Sequence, residues 1–282
     1  MSGAHAAQQP WTGEEGLEDL TAVRREPQRH GAGPVLAWTT LARLCGLRSE
    51  GVHARLGDEA SEGPATSLTA RADRAELTRA GWLTARGELT PAGRELAQGL
   101  GAQPVVLGLH AWHRGELRRG WIVAGEHLAV AAYEEDAASA EDAAPGRVSV
   151  DVAPVNALPI VLAQWGGLAP TWNYDVAHEV SDVALVRDRV HDTSIAAPAG
   201  SDAELTQLWA QDWTLWGVRA PEADIDLEFL AIGEQGQYVV RERTDGATVL
   251  APRPGSLLWG DLQLVLSALP GHGPAERDGD DW

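Results

Sequence analysis

One short phrase occurs twice in this chain, and the same order of landmarks runs on from it each time. Ala75-Glu-Leu-Thr78 returns as Ala203-Glu-Leu-Thr206. After the first come Pro104-Val-Val-Leu-Gly-Leu109, Trp121-Ile-Val-Ala124, Leu128-Ala-Val-Ala-Ala-Tyr133 and Arg147-Val-Ser-Val-Asp-Val152, which read as strands separated by turns. Ala153-Pro154 then opens a helical stripe of Val155, Leu158, Val161, Leu162, Trp165 and Leu168. After the second come Ile225-Asp-Leu-Glu-Phe-Leu230, Gly236-Gln-Tyr-Val-Val-Arg241 and Ala247-Thr-Val-Leu250, again as strands. Ala251-Pro252 then opens a stripe of Leu258, Leu262, Val265, Leu266 and Leu269. Runs of strands followed by one-sided helices point to an α+β fold, helices packed on one sheet built from two pseudo-repeated halves. The halves fall at about 70–170 and 200–270 of the chain.

Local signals fill in the helices. Asp73-Arg-Ala-Glu76 and Ser201-Asp-Ala-Glu204 have the capping-box pattern, the first opening a helix that runs to about Leu83 before Gly87 breaks it. Thr90-Pro91 sets a cap followed by proline, so a further helix starts there and runs to about Leu100. Val35, Trp38, Leu41, Leu44 and Cys45 suit a short helix, and Val176, Val180, Val183 and Val190 another. A helix from residue 202 would align Leu205, Leu208, Trp209, Trp213 and Trp216 on one stripe, interrupted by Asp212. The domain expected on these signals is 34–270, with a disordered lead-in at 1–33, an acidic loop at 134–146 and a disordered tail at 271–282.

Composition removes several functions. The chain has 282 residues, 41 acids against 22 bases and a net charge of −19, a balance that repels phosphate backbones. All 22 bases are arginine, so a Walker A lysine, a kinase-type lysine and a Schiff-base lysine are excluded. A single cysteine, Cys45, allows no intramolecular disulfide and no multi-cysteine zinc site, and its apolar neighbours suit a buried small hydrophobe. No signal-like or membrane-length apolar run is present, and a cytosolic protein is expected.

The chemistry-bearing residues do not converge. His110 and His113, if on a strand, face opposite ways and cannot share a metal ion. His178-Glu179 and His191-Asp192 read as solvated pairs on amphipathic helices, without a nucleophile elbow or phosphate loop beside them. Residues 72–100 resemble the helix-and-wing phrasing of small transcriptional regulators. In it and just before it, Arg71, Arg74, Arg79, Arg86 and Arg94 are nearly cancelled by Asp73, Glu76, Glu88 and Glu95. The expectation is a binding protein, not an enzyme, with no metal and no cofactor; a regulator or an uncharacterised enzyme are the alternatives. The twelve tryptophans are the strongest hint of where it binds. The stripe on the helix at 202–216 serves either as core or as a hydrophobic groove, and Asp212 suggests a partly exposed strip. Trp209 and Trp213, with Trp172 and Tyr174 of the loop segment 166–174 and Tyr238 as floor, are the candidate partner-binding residues.

Taken as a string, Leu77…Gly81-Trp-Leu83…Gly87-Glu-Leu89-Thr-Pro91…Leu96…Leu100…Gln103-Pro104 resembles the EspG family, chaperones associated with type VII (ESX) secretion. The resemblance continues through Trp121-Ile-Val-Ala124, Leu128-Ala-Val-Ala131 and Val148-Ser-Val150-Asp-Val152…Leu158-Pro-Ile-Val161. It ends in Gly236-Gln-Tyr238-Val…Arg243…Ala247…Ala251-Pro252…Leu257-Leu258…Leu266…Leu269-Pro270, so that it spans residues 35–270. It implies a cytosolic chaperone with a central antiparallel sheet and an internal pseudo-twofold. The implied partner is a secreted PE–PPE-like pair whose hydrophobic tip is covered. The strong acidity, the acidic insert at 134–142 and the abundance of Trp depart from the family pattern and leave the identity of the substrate open.

Overall fold

The computed structural model describes residues 27, 29–45, 67–101, 103–135, 146–168, 177–180, 182–244, 247–269 and 271–272. The expected lead-in, acidic loop and tail lie wholly or mostly outside them, as do Trp172 and Tyr174. The first half runs β1 (Val35–Ala37), α1 (Trp38–Leu44), α2 (Ser67–Arg79), α3 (Pro91–Leu100), β2 (Val105–His113), β3 (Glu116–Ala124), β4 (Leu128–Glu134) and β5 (Arg147–Pro154). One 3₁₀ turn, Val155–Ala157, then leads into α4 (Leu158–Trp165). The second half runs β6 (His178–Val180), α5 (Val183–His191), α6 (Ala203–Trp209), β7 (Trp213–Ala220), β8 (Ile225–Ile232), β9 (Gly236–Glu242), β10 (Thr248–Pro252) and α7 (Gly255–Ser267).

The ten strands of the described residues join one sheet, every pairing antiparallel, in the order β1-β5-β4-β3-β2-β7-β8-β9-β10-β6. The order is symmetric about the β2–β7 seam. Each half contributes a four-strand meander, and each meander's last strand pairs with a short strand that precedes that half's helices. Each half also ends in a helix, α4 or α7, and the two helices lie together on one face of the sheet. Leu158, Leu162, Trp165, Leu258, Leu262 and Val265 of these helices bury Leu107, Leu109, Ile122, Trp216 and Val218. The opposite face carries two separate clusters. Helices α1, α2 and α3 cover Val123, Val130, Val148 and Val150, while α5 and α6 cover Trp213, Leu215, Leu230 and Ile232.

Several local expectations are corrected. Helix α2 begins at Ser67, so Asp73 and Glu76 lie in its interior and cap nothing. They tie the helix to its surroundings: Asp73 accepts from Thr40 Oγ1 at 2.5 Å and pairs with Arg43, and Glu76 accepts from the Ala37 amide at 2.9 Å and pairs with Arg147. In the second box the cap is Asp202, one residue later than expected, its carboxylate accepting from the Leu205 amide at 2.7 Å. The supposed helix at 202–216 ends at Trp209, and Trp213 and Trp216 belong to strand β7. Arg189 closes that helix by donating to the carbonyls of Trp209 and Gln211. Strand β7 is packed on both faces, so the alternation that would have identified it is absent from the sequence. His178 and Glu179 likewise sit on strand β6, paired with β10, and only from Val183 does the chain turn helical.

Candidate functional site

The two helical clusters on the second face leave a gap between them, directly over the seam. Its floor is set by strand register. One cross-strand row reads Arg119, His110, Gly217, Glu228, and the next reads Trp121, Gly108, Arg219, Asp226. The inner pairs, His110–Gly217 and Gly108–Arg219, place one basic side chain and one glycine in opposite order. A glycine in mid-strand removes a side chain from the floor. At Gly217 a Cβ would come within 2.4 Å of His110 Cε1, because the imidazole lies across the bare backbone. The result is an open trough of about 350 Å³.

Tryptophans form its walls. Trp121 stacks on Trp38 of α1 with ring centroids 4.8 Å apart, which fixes it against the first helical cluster. Trp112 meets His191 at the end of α5 edge-on at 4.4 Å, which fixes it against the second. Both rings remain half-buried, neither sealed in core nor free in water. Such a ring has little rotamer freedom left to lose when a partner covers it.

The charges in the trough are ordered too. His110 Nε2 stands 3.7 Å from Glu228 Oε2 across Gly217. The neighbouring His110 imidazole holds the Glu228 carboxyl below the usual glutamate range, against the opposing effect of burial, with Arg187 and Arg219 adding to it. Arg219 is engaged by Asp226 at 2.8 Å. Arg119 lines the trough exposed, and among the described residues it has no ion-pair or hydrogen-bond partner.

The residues singled out from sequence are placed elsewhere. Trp209, Trp213 and Tyr238 are 4%, 1% and 4% exposed and lie in the second-half core, so the strip they were expected to offer as a rim is interior. Trp213 donates through Nε1 to the Leu208 carbonyl at 3.0 Å and carries the Arg189 guanidinium over its ring. Asp212, expected at a contact rim, sits in the turn after α6 and pairs with Arg114 at 2.7 Å. Trp172 and Tyr174 lie outside the described residues. His110 and His113 do occupy opposite faces of β2, His113 bonding to Thr214 Oγ1 at 2.9 Å. Among the described residues no three His, Cys, Asp or Glu side chains come close enough to hold a metal ion. No helix of the described residues is long and apolar enough to cross a membrane.

In the regulator-like segment, α3 lays Leu96 and Leu100 into the first-half core, while Arg94 donates to the Leu89 carbonyl at 2.7 Å. The trough residues Trp112, Trp121 and Arg119 escaped sequence reading because only strand register brings them together. The mid-strand glycines 108 and 217 were the signal that could have found them.

The chain is similar to a chain in the solved structure of the Mycobacterium tuberculosis type VII secretion system chaperone EspG5 in complex with the PE25–PPE41 dimer. The similarity covers 84% of this chain and 96% of that one, at 12% identity and a TM-score of 0.41. No family model matches the chain, and no curated protein matches it.

Proposed function

We propose that this protein is a cytosolic chaperone of the EspG kind that binds a PE–PPE-like substrate pair, keeps it soluble and directs it to a type VII secretion system, without catalysis or a cofactor. The observation that carries the reading is the trough, a recess walled by two half-buried tryptophans between the two helical clusters on one face of the sheet. The resemblance of residues 35–270 to the family supplies the partner class. An apolar tip laid on Trp112 and Trp121 gains from two rigid rings at small entropic loss.

Co-expression with a PE–PPE pair tests it. The pair is expected to become soluble and to co-migrate with this chain on size exclusion. Trp112→Ala and Trp121→Ala should each weaken the complex by about 2 kcal/mol while circular dichroism stays native. A pair that neither gains solubility nor co-migrates would overturn the reading, and one that binds both variants normally would place the contact away from the trough.

A further inference from the structure

The trough reverses the charge balance of the molecule. The whole chain has nearly two acids for each arginine, whereas among the described residues the trough is lined by two arginines, Arg119 and Arg219, and by His110, against a single acid, Glu228. Three of these four groups already have partners in the protein: Glu228 holds His110, and Asp226 holds Arg219. Among the described residues Arg119 is left over. It stands on β3 between Leu117 and Trp121, beside His110 on the neighbouring strand, and lines the trough in the exposed state. The Trp121 and Trp112 rings flank its row on either side.

A guanidinium on a row flanked by two tryptophans, in an open trough, is a poor site for another cation and a good one for a carboxylate, whose two oxygens match its planar donors. We propose that Arg119 anchors an aspartate or glutamate side chain of the protein segment that fills the trough, so that the segment presents an acid flanked by apolar residues. The proposal rests on the trough being the docking site. It adds an orientation: Arg119 lies at the β3 end of its row and the ionised Glu228 at the β8 end, so the acid of the occupant points toward the first half. The net charge of −19 makes a phosphate-bearing polymer the disfavoured occupant of the same rings and arginine.

The test uses the full chain and a displayed library of random peptides, panned in parallel on the wild type and on Arg119→Glu. Wild-type binders are expected to carry Asp or Glu between apolar residues, and Arg119→Glu binders to replace that acid with Lys or Arg. A wild-type consensus peptide should lose about tenfold in affinity for Arg119→Gln and little for Arg219→Gln. The same consensus from both proteins, or no consensus from the wild type, overturns the proposal. So does a single-stranded oligonucleotide that binds the wild type and competes with the peptides. An acidic consensus together with failure of the PE–PPE pair to bind would keep this inference and remove the chaperone reading. Loss of peptide binding on Trp121→Ala but not on Arg119→Gln would keep the trough as the docking site and remove this inference.

Discussion

At the scale of single residues, the molecule separates two kinds of tryptophan that composition counts alike. Trp213 is sealed, with its indole N–H bonded and its ring against Trp209 at 4.7 Å. Trp213→Ala should therefore lower unfolding free energy by about 3–5 kcal/mol in urea titration, whatever it does to binding. Trp121, half-buried and stacked on Trp38, should lose far less. Cys45 is buried, and burial pushes its thiol up to about 12, so it should resist a thiol reagent in the native protein and react fully once unfolded.

Glu228 makes a pH prediction. Its native value lies below the ordinary 4.5, so the ionised Glu228 adds stability at neutral pH that is lost as pH falls below 4.5 through the folded value. Glu228→Gln should be slightly less stable at pH 7 and show a flatter acid limb in thermal melts. Its side chain is 38% exposed, and solvent screening keeps the effect small. The burial of the tryptophans was not legible in the sequence, because a helix stripe and a two-face-packed strand both place Trp every three or four residues.

At the scale of elements, legibility tracked the local chemistry. Thr90-Pro91 could be read because both signals act within one turn, and Thr90 Oγ1 does accept from the Gly93 amide at 3.1 Å. Thr90→Ala should cost about 1 kcal/mol of stability, seen as a lower urea midpoint at unchanged slope. Asp73 and Glu76 had the same look and proved to be interior ties to Thr40, Arg43 and Arg147, because a carboxylate three residues from another also faces outward along one side of a helix. The strands with one polar face, such as β5 with Ser149 and Asp151 among valines, were visible as alternation. Strand β7 was hidden by apolar residues on both faces, and the three-residue strands β1 and β6 are too short to leave a pattern.

At the scale of the whole molecule, the repeated order of landmarks did announce a sheet of two similar meanders, each closed by a helix. The halves start earlier than the landmarks suggested, at β1 and β6, because the strand that completes each half comes before its helices. Beyond the mid-strand glycines 108 and 217 the trough left no trace in the sequence, since its rows draw on four strands spread from residue 108 to residue 228. The β2–β7 seam that creates it also has a consequence for how the chain reaches this structure. Hairpins within each meander join near neighbours, whereas Leu109 must find Val218 across roughly a hundred residues of chain, a closure whose entropy is lost in one step. Each meander can assemble from short hairpins, so the zipping of one meander onto the other is, with the equally distant β1–β5 pairing, a slow, topology-limited event. Until that event the inner edges of β2 and β7 are open, and a second copy of the chain offers each of them the same partner, which makes exchange of halves between molecules the expected misfolding route at high concentration.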